Sequence, residues 1–316
     1  MDGPVVISLG SVNVDFQVRT EHWPKPGETV LGTDFLMISG GKAANIAYLA
    51  RKLGVGARLL ARLGDDVLAD HALEPLQKLQ VDLAGVRRMK NCATGVSLIA
   101  VRKDGDKAII LAANANDTWS PEDEEAVAAN VAGAPAGSVL ALDLEIPVSI
   151  ARRAIATARR HQHLVVLDPS PANRLEDDLY AQADYLTPNN SEAEELTGIA
   201  VRSVEDGFRA GEALLKHGAR AALVKLGKEG CAFTASGMRL HVRPEQHQTV
   251  DATGAGDAFA GALTVALLER RTPEEAACFA AAAASVAVTR YGSQPAYPDR
   301  AELERAVKAV SVTRHK

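Results

Sequence analysis

The chain has 316 residues, of which 47% are hydrophobic and 24% are charged, so it can bury the core of a large globular domain. Its net charge of −5 provides no broad basic surface for a phosphate backbone, and we therefore expect no nucleic-acid partner. No apolar run approaches the roughly 18 residues of a membrane span, and the N-terminus lacks the basic region of a signal peptide.

These features, with three cysteines that lie far apart, predict a cytoplasmic protein without a membrane partner. Short apolar runs alternate with helical patterns, which is typical of an α/β fold with a mostly parallel central sheet and helices on both faces. The predicted strands are Val5 to Leu9, Val139 to Leu144, Leu164 to Leu167, Tyr185 to Leu186 and Ala221 to Leu226. Helices are predicted to begin at about Lys42, with Gly54 as the stop, and after the cap-and-proline pairs that start at Ser120 and Thr272.

Two segments depart from this alternation and have strand-like patterns without an accompanying helix: residues 15–38 and residues 94–113. In the second, residues 94–101 and 107–111 flank a turn at Lys103-Asp104-Gly105-Asp106, which predicts a hairpin. We expect the two segments to form a small β-sheet lid beside the main body. A lid over a cleft and an edge extension or dimer surface are both consistent with this pattern.

Polar residues follow the predicted strands at their carboxyl ends: Asn13, Asp15, Glu145, Asp168, Asn189 and Gly227. In open α/β sheets ligands bind along that edge, so we expect these residues to share one crevice. Taken singly, each residue is also a common turn or cap former.

The segment from Val250 to Phe259 places a carboxylate behind a turn of small residues that opens an apolar helix. Backbone N–H groups of Gly254, Ala255 and Gly256 can point at one spot, where a helix N-terminus adds about half a positive charge. Asp257 would repel a resting phosphate, so its presence indicates proton removal from a group that attacks a phosphate. The alternative is a glycine-rich turn with an acid favoured by the helix dipole.

Six short motifs occur in order along nearly the whole chain. They are residues 10–15 (Gly-Ser-Val-Asn-Val-Asp), 24–29 (Pro-Lys-Pro-Gly-Glu-Thr), 40–45 (Gly-Gly-Lys-Ala-Ala-Asn), 144–147 (Leu-Glu-Ile-Pro), 187–194 (Thr-Pro-Asn-Asn-Ser-Glu-Ala-Glu) and 251–257 (Asp-Ala-Thr-Gly-Ala-Gly-Asp). Together they resemble the ribokinase or PfkB family of carbohydrate kinases. The resemblance implies one ribokinase-like kinase domain over residues 1–316 and ATP-dependent phosphorylation of the primary hydroxyl of a small sugar.

The resemblance also implies roles for individual residues. Asp257 resembles the catalytic base, and the backbone of Gly254, Ala255 and Gly256 would stabilise charge on the transferring phosphoryl group. The residues that match the sugar-binding motifs are Asn13, Asp15, Gly41, Lys42, Asn45 and Glu145, together with Asp257. Those that match the nucleotide-binding motifs are Asn189, Lys225, Gly227, Gly230 and Gly256.

Two ions are implied by the same resemblance. Asn189 and Glu192 match a motif associated with Mg²⁺ through water, which suits a hard cation that keeps its hydration shell. Asp251 and Thr253 resemble a monovalent-cation (K⁺) site, together with backbone oxygens near Ala287, Arg290 and Gly292.

A homodimer through the lid is also expected, because the lid has exposed sheet edges.

Three positions depart from the family's pattern. Lys225 stands where many relatives have threonine, Ala43 replaces a common glycine, and Asn190 replaces a frequent acid. The Gly-Gly-Lys pattern with Asn13 and Asp15 is more similar to ribokinases than to fructokinases or adenosine kinases, so D-ribose is the expected substrate. Another sugar or nucleoside (fructose, 2-keto-3-deoxygluconate, an adenosine-like compound) and a catalytically silent sugar-binding regulator remain open.

Overall fold

The computed structural model describes residues 3–315, which form two β-sheets and ten α-helices within that range. The strands are β1 Val5–Leu9, β2 Asn13–Thr20, β3 Thr33–Gly40, β4 Gly56–Gly64, β5 Asp82–Met89, β6 Gly95–Arg102, β7 Lys107–Ala112, β8 Val139–Leu142, β9 Leu164–Leu167, β10 Tyr185–Leu186, β11 Ala221–Lys225, β12 Cys231–Ala235, β13 Met238–Arg243 and β14 Ser311–His315. The helices are α1 Lys42–Lys52, α2 Val67–Lys78, α3 Pro121–Ala132, α4 Val148–Arg160, α5 Asp177–Tyr180, α6 Asn190–Thr197, α7 Val204–Lys216, α8 Ala255–Leu268, α9 Pro273–Ala287 and α10 Arg300–Val307. No helix in this range is long and apolar enough to cross a bilayer.

The large sheet has ten strands in the order β14-β13-β12-β11-β10-β9-β8-β1-β4-β5. The strands from β11 to β5 in this order run parallel, whereas β12, β13 and β14 are antiparallel additions at the other edge. Alternate residues of β1 enter different apolar clusters, with Val6 on one face and Val5 and Ile7 on the other. Helices therefore cover both faces, and the predicted α/β class is confirmed.

The strand predictions are correct for β1, β9 and β10, and two others were too long. The strand predicted from Val139 to Leu144 ends at Leu142, because the backbone then turns and Leu144 N–H donates to the carbonyl of Ser170 at 3.0 Å. The strand predicted to reach Leu226 ends at Lys225. Strands β4, β5 and β12 to β14 of the large sheet were not predicted.

The three helix starts that were predicted, those of α1, α3 and α9, are correct. Helix α1 begins at Lys42, and the predicted stop at Gly54 has a φ of +86°, which is the left-handed region that favours glycine. Helices α3 and α9 begin with capping boxes formed by Ser120 with Asp123 and by Thr272 with Glu275.

The small sheet, here called the lid, contains four strands in the order β3-β2-β6-β7. The predicted hairpin is the antiparallel pair β6 and β7. The first lid segment is longer than the predicted residues 15–38, since its strands span Asn13 to Gly40. Large apolar side chains lie on its outer surface, including Phe35 at 64% exposed and Ile110 at 71% exposed.

Candidate active site

A cleft of about 610 Å³ lies between the lid and the carboxyl edge of the large sheet. It brings together most of the residues predicted from sequence: Asn13, Asp15, Gly41, Lys42, Asn45, Glu145, Asn189, Glu192, Lys225, Gly227, Gly230, Thr253, Gly254, Ala255, Gly256 and Asp257. The lid contributes Ile99, Lys107, Ile109 and Leu111 to the same cleft. Five predicted residues do not line it: Asp168, Asp251, Ala287, Arg290 and Gly292.

Asp257 lies in the first turn of α8 and is held from two positions on α1. Asn45 Nδ2 donates to Asp257 Oδ2 at 2.7 Å, and Lys42 Nζ lies 3.7 Å from Oδ1. The amide of Asn45 is itself fixed, because Gln294 Nε2 donates to its Oδ1 at 3.1 Å. Gln294 is buried and was not predicted as a site residue. The carboxylate of Asp257 is thus oriented by a chain of contacts before any ligand binds.

The turn before α8 leaves backbone donors free at the cleft. Gly254 has a φ of +73°, and a Cβ at this position would lie 2.6 Å from the hydroxyl of Tyr297. That hydroxyl donates to the carbonyl of Gly254 at 3.1 Å and so fixes the turn. Ala255 N–H donates to Ala252 O at 3.3 Å, whereas the N–H groups of Gly254 and Gly256 have no acceptor within residues 3–315. Two free N–H groups and a helix N-terminus can therefore accommodate an anion beside Asp257, and residues 254–256 are called the anion-binding turn below.

Buried carboxylates crowd the other end of the cleft. Burial raises the pKa of Asp15 to about 7, against a hydrogen bond from Ser97 that lowers it. Burial likewise raises the pKa of Glu145. Below them, Asp143 accepts hydrogen bonds from the backbone of Ser11 at 3.1 Å and of Glu145 at 2.9 Å, and its pKa is also raised by burial. Of these residues, Asp15 and Glu145 line the cleft, where their carboxyl oxygens can accept from the hydroxyls of a ligand.

Lys42 supplies the positive charge among these acids. Burial acts to lower its pKa, but the carboxylates of Asp168, Asp257 and Glu145 outweigh burial and raise the pKa well above 10.5. Lys42 therefore remains an ammonium group between Asp257 and the crowded carboxylates.

Asn13 is positioned by a residue that the sequence did not single out. Asn116 Nδ2 donates to Asn13 Oδ1 at 2.8 Å, while Asn116 Oδ1 accepts from the backbone of Val12 at 3.0 Å. Within residues 3–315, Asn13 Nδ2 has no acceptor and is available to a ligand.

The opposite end of the cleft is built from turns and a helix start. Asn189 and Glu192 form the capping box of α6: Asn189 N–H donates to Glu192 Oε2 at 2.7 Å, and Glu192 N–H donates to Asn189 Oδ1 at 2.9 Å. Gly227 and Gly230 have φ values of +58° and +83° in the loop after β11. Glu192 keeps one carboxylate oxygen outside the capping contacts, so capping and ligand binding are compatible.

Of the five predicted residues outside the cleft lining, Asp168 lies at the end of β9 and pairs with Lys225. The other four lie behind the anion-binding turn. Asp251 is fully buried and accepts from the N–H groups of Thr253 and Gly292, each at 2.8 Å, and from Gln17 of the lid. Three buried oxygens of Gln17, Thr253 and Ser293 have no partner within the described residues. Arg290 pairs with Glu302, and Ala287 ends α9.

No cluster of three or more His, Cys, Asp or Glu side chains within residues 3–315 is arranged to hold a metal ion.

Residues 5–300 match the pfkB family of carbohydrate kinases. The chain is 32% identical to the ribokinase of Haemophilus influenzae over 93% of this chain and 95% of that protein, and 31% identical to the deoxyribokinase of Salmonella typhi over 92% and 94%. Its fold is similar to the ribokinase of Thermotoga maritima, with a TM-score of 0.82 at 33% identity over 96% of this chain and 99% of the other. The fold is also similar to that of Arabidopsis thaliana ribokinase complexed with ribose and ATP, with a TM-score of 0.81 at 33% identity over 98% of this chain and 99% of the other.

Proposed function

The chain belongs to the pfkB family of carbohydrate kinases, and on this premise we propose that it phosphorylates the primary hydroxyl of D-ribose with ATP, producing ribose 5-phosphate. The enzyme class is a phosphotransferase that acts on a sugar hydroxyl. The observation that carries the proposal is the position of Asp257, which lies beside the free N–H groups of Gly254 and Gly256 in the cleft that also contains the buried carboxylates.

Asp257 acts as the base in this mechanism. It accepts the proton of the sugar hydroxyl while that oxygen attacks the γ-phosphorus of ATP in line and ADP leaves. A positioned proton acceptor contributes about 10² to 10⁴ in rate. Backbone donors at an anion-binding turn contribute roughly 10² to 10³ each where one has been removed in other enzymes. The two contributions are comparable, so neither group alone accounts for catalysis.

The other hydroxyls of ribose are held at the acidic end. Asp15 and Glu145 accept from sugar hydroxyls, Asn13 Nδ2 donates, and Lys42, Asn45 and the backbone at Gly41 complete the sugar site. Burial raises the pKa of Asp15 because the folded chain excludes water from its carboxyl group. Sugar hydroxyls would replace the hydrogen bonds of that water, which supports this role for Asp15.

ATP occupies the opposite end, against Asn189, Lys225, Gly227, Gly230 and the turn at Gly256. Glu192, which keeps one carboxylate oxygen outside the capping contacts, would hold the Mg²⁺ of the nucleotide, and that ion would neutralise charge on the phosphates. The buried oxygens of Thr253 and Ser293 that lack partners suit a monovalent cation such as K⁺ beside Asp251, with backbone oxygens of Ala287, Arg290 and Gly292 completing its site.

The outer face of the lid provides a surface for a homodimer. Leu98 and Ile110 are directly paired across β6 and β7, and Phe35 stacks on Phe16 at 6.2 Å nearby. Exposed apolar surface of this kind favours association with a second copy. We expect a cytoplasmic dimer of single-domain subunits spanning residues 1–316, and light scattering at several protein concentrations measures its mass.

The proposed function is tested by ADP release with ATP, Mg²⁺ and a panel of acceptors, with and without K⁺. The panel contains ribose, 2-deoxyribose, fructose, 2-keto-3-deoxygluconate and adenosine. The expected result is the highest kcat/KM with ribose. Because a deoxyribokinase is among the relatives, 2-deoxyribose is the most informative competitor. A higher kcat/KM with another acceptor would assign that compound, rather than ribose, as the substrate. If no acceptor stimulates ADP release, a sugar-binding regulator is favoured instead.

A further inference from the structure

Lys225 extends from the end of β11 into the cleft. Its backbone N–H donates to the carbonyl of Pro188 at 2.8 Å, which fixes the strand end beside the predicted nucleotide residues. Its ammonium lies 3.3 and 3.4 Å from the two carboxylate oxygens of Asp168. The lysine side chain is 13% exposed and the aspartate side chain 2%. This ion pair is therefore largely shielded from solvent, which makes its geometry better defined than that of a surface pair.

The same ammonium lies beside the anion-binding turn. A Cβ built on Gly256 would lie 3.4 Å from Lys225 Nζ, and a Cβ is only one bond away from the backbone. Gly256 carries one of the two N–H groups that have no acceptor within residues 3–315. The ammonium of Lys225 therefore lies close to the residue that supplies this N–H group.

Asp168 lies at the end of β9 and connects the two ends of the cleft. Within the described part of the chain, Lys225 is the side chain that donates to its carboxylate. Among the carboxylates that raise the pKa of Lys42, Asp168 has the largest effect. Lys42 in turn contacts Asp257. One buried acid thus balances a lysine near the proposed base and a lysine near the proposed phosphate site.

We propose that Lys225 is a catalytic residue that contacts the transferring phosphoryl group, and that Asp168 is a positioning residue that holds the Lys225 ammonium beside the turn at Gly256. This inference rests on the proposed function. As the bond from the sugar oxygen to the γ-phosphorus forms, the bond to the β,γ-bridging oxygen breaks and the hydroxyl proton passes to Asp257. Negative charge spreads over the equatorial phosphoryl oxygens, where the ammonium supplies a full positive charge in addition to the backbone dipoles.

The test compares Lys225→Met, Lys225→Thr, Asp168→Asn and the double variant Lys225→Met/Asp168→Asn with the wild-type protein. Lys216→Met at an exposed position on α7 is the matched control for loss of a lysine charge. Calorimetry measures the affinity of each protein for Mg·ADP and for Mg·ADP with aluminium fluoride, which mimics the transferring phosphoryl group, in the presence of ribose. Steady-state kinetics give kcat and the KM values for the same proteins.

For Lys225→Met, we expect the affinity for the fluoroaluminate complex and kcat each to fall by about 10- to 100-fold. This is at or below the effect of removing a transition-state donor in other enzymes, because the Lys225 side chain is partly exposed to solvent. ADP affinity should change by less than about threefold, as expected for an interaction made mainly in the transition state. Asp168→Asn should give a smaller loss in the same two quantities. The double variant should lose less than the sum of the two single losses, because Asp168 acts in part through Lys225.

Equal fluoroaluminate affinity and kcat in wild type and both Lys225 variants would overturn the inference, as would a double variant with the full sum of the two single losses. Unchanged ADP affinity in Lys225→Met and Lys225→Thr shows that the site is folded, so a folding defect is distinguished from lost catalysis. A wild-type protein that binds the fluoroaluminate complex no more tightly than ADP also contradicts the inference. Absence of sugar-dependent ADP release by the wild-type protein contradicts the proposed function separately.

Discussion

The two ends of the cleft are constructed in different ways. The proposed sugar end is formed by side chains, with Asp15 buried and Glu145 half-buried in the cleft lining. Burial raises the pKa of both, and that of Asp143, which is fully buried outside the lining. The proposed nucleotide end consists largely of backbone, with Gly227, Gly230 and Gly254 in the left-handed region of φ. One end is thus specified by charge, and the other by backbone conformation.

This difference predicts separable mutational effects. A carboxylate at the acidic end recognises hydroxyls through its own oxygens, so changing its charge should act on the sugar. A glycine turn places N–H groups, so adding a Cβ there should act on the nucleotide. Asp257 lies where the ends meet and should affect turnover more than the binding of either substrate.

The largest effect is expected for Asp257→Asn. The amide keeps the shape of the side chain but cannot accept the sugar proton, so kcat should fall by at least about 10²-fold. ATP affinity should change little, because the free N–H groups of Gly254 and Gly256 are unaffected. Steady-state kinetics and nucleotide titration measure the two quantities, and an unchanged kcat would reject Asp257 as the base.

Asp15→Asn should weaken the sugar end selectively. Replacing a charged acceptor by an amide weakens a hydrogen bond worth about 1.5 kcal/mol or more, so the KM for ribose should rise by roughly tenfold. The KM for ATP should remain unchanged. Asp104→Asn is the control, because it changes an exposed acid at the lid turn. Asn116→Asp is not a suitable control, because Asn116 positions Asn13. An equal rise in both KM values would contradict the separation of the two ends.

Gly230→Ala is the matching change at the nucleotide end. The φ of Gly230 is +83°, and its Cβ would lie 2.0 Å from the carbonyl oxygen of Val242, so alanine forces the loop after β11 to move. A backbone strain of about 1 to 3 kcal/mol, in addition to this clash, should raise the KM for ATP by roughly tenfold or more and leave the KM for ribose within error. A selective change in the ribose KM would show that the loop serves the sugar instead.

The last effect concerns the dependence of stability on pH rather than turnover. Because the pKa of Asp15 is raised from 3.8 to about 7 in the folded protein, the folded state binds this proton more tightly than the unfolded state. The resulting stabilisation is present at low pH and is lost as pH rises through that window. Urea unfolding of the ligand-free protein at pH 5 and pH 8 should show a smaller loss of unfolding free energy for Asp15→Asn than for wild type. Parallel losses in the two proteins would contradict this account of Asp15.

Sequence patterns predicted those parts of the molecule that depend on neighbours along the chain. The cap at Thr272, the start of α1 at Lys42 and the turn at Gly254 are local signals, and each was placed correctly. In the strands β1 and β9 every residue except Ser8 is apolar. By contrast, β4 contains Arg58 and Arg62, whose charges interrupt the apolar pattern although Asp82 and Asp123 pair with them in the fold.

The residues that orient the site were missed for a related reason. Asn116 acts on Asn13, Gln294 on Asn45, and Tyr297 on the turn at Gly254, and each contact joins distant parts of the sequence. A polar residue that is satisfied by a long-range contact has no distinguishing local pattern. The motif residues were therefore predictable, whereas the contacts that hold them in place required the fold.

The most direct measurement is a crystal structure of the protein with ribose, Mg²⁺ and a non-hydrolysable ATP analogue. The account predicts that the primary hydroxyl oxygen of ribose lies about 3 Å from a carboxylate oxygen of Asp257 and in line with the γ-phosphorus. The terminal phosphate should accept from the N–H groups of Gly254 and Gly256. A ribose bound with its primary hydroxyl away from Asp257, or a terminal phosphate remote from that turn, would contradict the account.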